Sequence, residues 1–209
     1  MGTDGRVRSY GGKTAGERAA ERRARLVTAT VDVLAEQGEA RTTMTAICAT
    51  AGLTERYFYE SFAGLDDALL AALESVCDEI AQTAVATLET AEGTPDARLH
   101  AVMASFVDLV VRSPAKIRVA VIHSSANPRL RARRHELVGM FADLVAREAA
   151  ALYGEDAWPP EQARIHGLVY IAGFAELVAS WLTGDVSMSS DELVETAVVL
   201  FASLSRRAD

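Results

Sequence analysis

The stretch from Thr42 to Phe62, TTMTAICATAGLTERYFYESF, sets two short helical patterns on either side of a glycine. Thr42 or Thr43 can cap a first helix through Met44, Ile47 and Cys48, because a threonine hydroxyl accepts from N–H groups that the first turn leaves unpaired. Gly52 supplies a turn conformation that a residue with a Cβ resists. Thr54 can cap a second helix through Tyr57, Phe58 and Tyr59. Ile47, Ala51, Leu53 and Phe58 are spaced to pack on a preceding helix, which leaves Thr45, Glu55, Arg56 and Tyr57 on the outer side. Two helices so joined can lay the second into a DNA major groove. Threonine and tyrosine hydroxyls bond phosphate, and an arginine can bond guanine through two parallel hydrogen bonds. Taken alone the pattern is weak, since helical hairpins are common.

The flanking sequence is punctuated into helices throughout. Leu26, Val27, Thr30, Val33, Leu34 and Gln37 repeat at three and four, and Gly38 stops that helix. After Gly64 a long helix carries Leu65, Leu69, Leu73, Val76, Ile80 and Val85 on one face, with Asp66 and Asp67 in its first turn, where the helix dipole favours them. Gly93-Thr94-Pro95 precedes the next, through Val111. Ser113-Pro114 opens another that Asn127-Pro128 closes. A long segment runs from Pro128 to Leu152, Trp158-Pro159-Pro160 starts a helix to about Thr183, and Ser189 or Ser190 caps the last, ending near Arg206. The expectation is an all-α chain of nine helices. Three regions are expected: a basic arm over 1–16, a helix-turn-helix unit over 17–64 with its motif at about 43–62, and a ligand-binding and dimerisation unit over 65–209.

Charge is unevenly spread. The net charge of −8 argues against nucleic acid, yet residues 1–27 hold seven basic against three acidic side chains. That end is a candidate phosphate footprint, with a solubilising tail as the alternative. No window approaches eighteen uninterrupted apolar residues, so no membrane partner is expected. Two cysteines, Cys48 and Cys77, make no disulfide framework and suit a reducing cytoplasm.

From about Arg22 to Leu69 the sequence resembles the DNA-binding domain of the tetracycline-repressor (TetR) family of transcriptional regulators. The likeness lies in the basic, apolar first helix RRARLVTATVDVLAEQG, in TTMTAICATAGL, and in FYESF followed by Asp66 and Leu69. It implies a regulator, most simply a repressor, released from a palindromic operator by a small, largely apolar molecule. It also implies that Thr43 and Tyr59 contact phosphates, that Thr45, Glu55, Arg56 and Tyr57 face bases or adjacent backbone, and that Thr54 caps the recognition helix. Two positions depart from the family pattern. Leu65 stands where many members carry a phosphate-touching lysine, and Cys48 stands where alanine is usual, most simply as a small buried packer.

The segment 159–183 is apolar on most of its circumference, so it needs cover on more than one side, and a second chain is the economical cover. By resemblance, the last two helices pair with a partner's to form a two-fold homodimer. Leu168, Ile171, Ala172, Leu177, Trp181, Ala197, Leu200, Phe201 and Leu204 are expected at its seam, and Gly167, Ala172 and Gly173 would allow close approach. The middle helices would enclose the effector, with Met103, Phe106, Ile117, Val121, His123, Phe141, Tyr170 and Phe174 lining its pocket. His123 and Glu176 are the polar residues of interest there, and Arg129, Arg131, Arg133 and Arg134 could meet an anionic headgroup or form a solvated face.

No G-x-S-x-G, P-loop or G-x-G-x-x-G is present, and the four histidines do not fall at metal-ligand spacings. The expectation is no enzyme, no cofactor and no metal. The competing reading is a helical small-molecule-binding or interaction protein that has lost specific DNA binding, suggested by Leu65 and the acidic total.

Overall fold

A computed structural model describes residues 14–125 and 127–207. Its nine α-helices are α1 (Ala15–Gln37), α2 (Met44–Ala51), α3 (Glu55–Ser61), α4 (Leu65–Thr90), α5 (Pro95–Arg112), α6 (Pro114–Val121), α7 (Pro128–Tyr153), α8 (Pro160–Thr183) and α9 (Ser190–Ser205). Among the described residues there is no strand, only an isolated bridge between Ala157 and Arg206.

The first helix begins inside the expected arm. Thr14 and Glu17 form a reciprocal capping box, with Glu17 N donating to Thr14 Oγ1 at 3.1 Å and Thr14 N donating to a Glu17 carboxylate oxygen. Both donors are thus satisfied before any tertiary contact is made. Residues 1–13 of the expected arm lie outside the described residues. The stripe Leu26, Val27, Thr30, Val33 and Leu34 is buried as expected.

Helix α4 belongs to two cores. Its Ala68 and Ala71 pack with Leu26, Ile47 and Phe58. On an adjoining face, Leu69, Leu73 and Val76 pack with Leu34, Val119 and Leu137. At about 1.5 Å per residue it is roughly 39 Å long, and it contains no glycine or proline between Gly64 and Gly93. Two ion pairs fasten its middle: Glu74 to Arg133 at 2.9 Å and Glu79 to Lys116 at 2.7 Å. Val85, which the sequence places on the same face as Leu69, Leu73 and Val76, is exposed.

The helix expected up to Asn127 stops at Val121. There the chain tightens into a 3-10 turn over His123–Ser125, and Ser124 Oγ donates to the Ala120 carbonyl. Helix α8 is long and apolar enough to cross a membrane. In this fold its face Ala163, Gly167, Tyr170, Phe174 and Val178 packs inward, while Ile165 and Val169 are each 56% exposed. A Cβ on Gly167 would stand 2.6 Å from the Ala142 carbonyl oxygen, so glycine sets how closely α7 and α8 approach. Ser189, rather than Ser190, caps α9 in a second capping box with Glu192.

Candidate nucleic-acid interface and ligand cleft

Local rules build the helix-turn-helix. Thr43 resolves the choice of cap: its Oγ1 accepts from Ala46 N at 3.2 Å. Helix α2 ends at Gly52, with φ +61° and ψ +39°, the left-handed region where a Cβ is unfavourable. Gly52 N donates to the Ala49 carbonyl and Leu53 N to the Cys48 carbonyl, a Schellman closure that turns the chain into α3. Arg25 reaches across from α1 and donates to the Ala51 carbonyl at 2.5 Å. Behind the turn, Ile47 and Phe58 are buried.

The outer face of this unit is only partly as expected. Thr45, Glu55, Arg56 and Tyr59 are exposed, Tyr59 by 63%. Thr54 occupies the N-cap position of α3, but no side-chain hydrogen bond closes the turn, so the capping role read for its hydroxyl is corrected. Tyr57 is half-buried because the Arg22 guanidinium lies 4.5 Å from its ring centroid. Arg22 also approaches Glu60 at 3.8 Å, and Arg56 donates to Glu60 at 2.9 Å, so one carboxylate serves two arginines. Arg23 covers Phe62 at 4.9 Å. The basic start of α1 therefore braces α3 from within, a use that its charge alone did not disclose. Leu65 is half-buried and packs on both cores at the root of α4. The Cys48 thiol is pushed up, first by burial and then by the Glu55 carboxylate, so it stays protonated at neutral pH.

Between α4, α5, α7 and α8 lies a cleft with about 1190 Å³ of free space, its mouth open to solvent included. Of the expected lining, Met103, Phe106, Val121, Phe141, Tyr170 and Phe174 face it. Ile117 does not: it is fully buried against α5, α8 and α9. His123 does not either, because α6 ends before it and the 3-10 turn carries it away. Burial and then Arg118 lower the His123 pKa, with Glu39 opposing, so its ring is neutral at pH 7. Glu176 is exposed on the outer face of α8. The aromatic end of the cleft is rigidly assembled. Tyr170 stacks on Phe174 with centroids 5.8 Å apart, meets Phe201 edge-on at 5.4 Å, and donates its hydroxyl to Met103 Sδ at 3.2 Å.

The sequence reading missed the α4 wall (Leu73, Cys77, Ile80), Phe201 of α9, and two charged lining residues, Arg134 and Glu148. Burial pushes the Cys77 thiol up to about 12. Of the arginine cluster on α7, Arg133 is bound to Glu74 and Glu136 while Arg134 borders the cleft. The side chain of Arg129 lies outside the described groups.

On the far side of α8 and α9 an apolar face is left uncovered. Leu168, Ala172 and Leu200 are exposed there, beside Ile165, Val169 and Val199. Ile171, Leu177, Trp181 and Leu204 are half-buried, Trp181 being tied to the Met188 carbonyl at 2.9 Å. Ala197 and Phe201 are corrected: they are 0% and 3% exposed because α9 turns them inward, toward α5 and the cleft. Gly173 meets nothing within 4 Å, so of the small residues expected to ease close packing only Gly167 does so within the chain. Among the described residues no group of three or more His, Cys, Asp or Glu could hold a metal ion.

No protein-family model and no curated protein matches the sequence. Solved structures do. The fatty acid degradation regulator FadR from Bacillus halodurans has a TM-score of 0.74 at 17% identity, over 89% of this chain and 97% of that one. FadR from Bacillus subtilis, solved in complex with stearoyl-CoA, gives 0.69 at 19%, over 86% and 97%. A TetR-like transcriptional regulator from Rhodococcus gives 0.67 at 17%, over 88% and 94%. Coverage of 86–89% of this chain and 94–97% of theirs shows that the described helices, those beyond residue 70 included, have the TetR-like all-α fold.

Proposed function

We propose that this chain, having the TetR-like fold, is a ligand-responsive, DNA-binding transcriptional regulator of the cytoplasm that acts as a repressor. The carrying observation is a single rigid element, α4, packed at one end into the helix-turn-helix core and lined along its length by an apolar cleft. Residues 17–64 serve as the DNA-reading unit and 65–209 as the effector and dimerisation unit.

Two copies pair through the exposed apolar face of α8 and α9, which none of the described residues covers. The dimer holds a palindromic operator with both α3 helices in the major groove. Arg56 reads a base, Thr43 and Tyr59 hold phosphates, and Thr45, Glu55 and Tyr57 face bases or the adjacent backbone. A largely apolar effector enters the cleft and favours a spacing of the two α3 helices that does not fit DNA. Shifting that balance from 99:1 to 1:99 needs about 5.5 kcal/mol of differential affinity. The stearoyl-CoA bound by the Bacillus subtilis relative supports an apolar effector.

Selection of operator DNA from random or genomic fragments by the purified, ligand-free protein tests this reading. An enriched palindrome with strongly salt-dependent affinity is expected. A folded dimer that enriches no sequence would instead favour a binding protein without DNA specificity.

A further inference from the structure

The cleft is walled by side chains from α4 to α9, and every lining residue lies inside one of those helices. Their backbone N–H groups are spent on the helical ladders, so the main chain offers an occupant no donor. Among the described residues the lining holds no Ser, Thr, Asn, Gln, His, Lys, Asp or Trp. The Tyr170 hydroxyl is already engaged, donating to Met103 Sδ at 3.2 Å and to the Ala197 carbonyl at 3.3 Å, and the residue is 3% exposed. The Cys77 thiol is a weak donor at best. Arg134 and Glu148 border the cleft, yet its wall is almost wholly apolar, so neither gives it a polar interior.

What the wall does offer is rings. Four of the six phenylalanines line it, Phe106, Phe141, Phe174 and Phe201, together with Tyr170. Phe106 and Phe174 stand 5.5 Å apart, and Tyr170 joins Phe174 to Phe201, so these four rings form one connected wall. Among the described residues Phe141 pairs with no other ring, so it can be changed without disturbing that set. An aromatic guest gains ring contacts beyond the area it buries, each worth about two- to tenfold in affinity. A charge or a hydrogen-bonding group carried into the cleft loses its water and finds no partner.

We infer that the cleft selects an uncharged, ring-bearing lipophile, an aromatic or polycyclic molecule without an acid, amine or phosphate group. Exclusion of charge, and not recognition of a head group, sets its specificity. The regulatory use of this ligand rests on the reading given above, while its binding does not.

The test is competition on the full chain at neutral pH against N-phenyl-1-naphthylamine, an uncharged fluorescent probe. The competitors are 4-methylbiphenyl, biphenyl-4-carboxylate, biphenyl-4-methylammonium, dodecan-1-ol and, below its micellar concentration, palmitoyl-CoA. The neutral biphenyl is expected to displace the probe at concentrations about tenfold or more below those of either ion, the cost of stripping a charge of water. Palmitoyl-CoA should compete no better than the ions. Phe141→Leu should weaken the neutral biphenyl about two- to tenfold more than it weakens dodecan-1-ol. Arg134→Met and Glu148→Gln should leave the neutral biphenyl's affinity unchanged. Ala84→Trp, which places an indole in the free space beside α4, should abolish binding of the probe. The inference is overturned if the probe does not bind, or if an ion or palmitoyl-CoA competes as well as the neutral biphenyl. It is equally overturned if Phe141→Leu weakens both neutral ligands alike, or if Arg134→Met costs the neutral biphenyl its affinity. A protein that selects operator DNA but binds none of the neutral ring compounds sinks this inference and leaves the regulator reading standing. A protein that binds them as expected and selects no DNA does the opposite.

Discussion

Gly167 offers a quantitative test of how the cleft's outer wall is built. Replacing a helical glycine by alanine ordinarily stabilises by up to about 1 kcal/mol, through lower chain entropy in the unfolded state. At Gly167 the new methyl would stand 2.6 Å from the Ala142 carbonyl oxygen and 3.3 Å from two further backbone atoms of Ala142. Backbone cannot rotate aside, so α7 and α8 must part by nearly an ångström along their shared seam. Overpacking of this kind costs about 1–3 kcal/mol, which leaves a net loss of about 0–2 kcal/mol. For a chain of 209 residues that is a fall of about 2–4 °C per kcal/mol. Gly139 is the internal control: it lies on α7 and its added Cβ would meet nothing within 4 Å. Gly139→Ala should therefore raise the melting temperature by about 2–4 °C. Calorimetry of both variants at one protein concentration removes the effect of any association on the comparison. If Gly167→Ala melts as high as Gly139→Ala, the close approach of α7 and α8 described above is wrong.

Further outcomes follow from the reading face and the caps. Arg56→Ala should relax base preference at one position per half-site by about 1–3 kcal/mol, whereas Tyr59→Phe should weaken all sites alike; binding to a library of operator variants separates the two. Glu60→Gln should cost under about 1 kcal/mol of stability, because both its ion pairs are surface-accessible, yet it should alter base preference by releasing Arg56; an unchanged preference would remove Glu60 from positioning. The Glu192 carboxyl is held below its ordinary pKa, first by the Ser189 backbone N–H and then by the Ser189 hydroxyl. Its contribution is complete above the unfolded-state pKa and is lost as pH falls through the lower folded value. Wild type and Glu192→Gln should therefore differ most near neutral pH and converge in acid, read as denaturation midpoints. Both thiols are buried and protonated, so alkylation at pH 8 should be far slower in the folded protein than in denaturant; a fast-reacting thiol in native protein would contradict the burial of Cys48 and Cys77.

The helix-turn-helix was legible because its determinants are local. A threonine cap, a glycine in the left-handed region and a cluster of aromatics act within a few residues of one another, and the folded chain uses each where the sequence places it. What escaped was the reuse of Arg22 and Arg23 as covers for Tyr57 and Phe62, since a charge count does not reveal a ring beneath a guanidinium. The cleft was legible only in part. Ile117 and Val121 lie one turn apart on the same short helix, yet Ile117 is sealed by α8 and α9 while Val121 faces the void. A void is defined by what fails to fill it, and that depends on helices distant in sequence. Helix α9 illustrates the same limit. Its apolar residues form two faces, Leu193, Ala197 and Phe201 inward and Val199 and Leu200 outward, and composition alone cannot say which face meets which neighbour.

The absence of glycine and proline from α4 has a mechanical consequence. An uninterrupted hydrogen-bonded rod resists bending far more than it resists being tilted, so a push at its cleft-lined half is conserved along its length instead of being dissipated. The compliance then resides at the two ends, in the Ala63-Gly64 joint beside α3 and in the Gly93 turn before α5. A glycine introduced in the middle of the rod, at Ala81 for example, would act as a mechanical fuse. On the proposed function, effector and operator would each still bind, and the coupling between them should weaken.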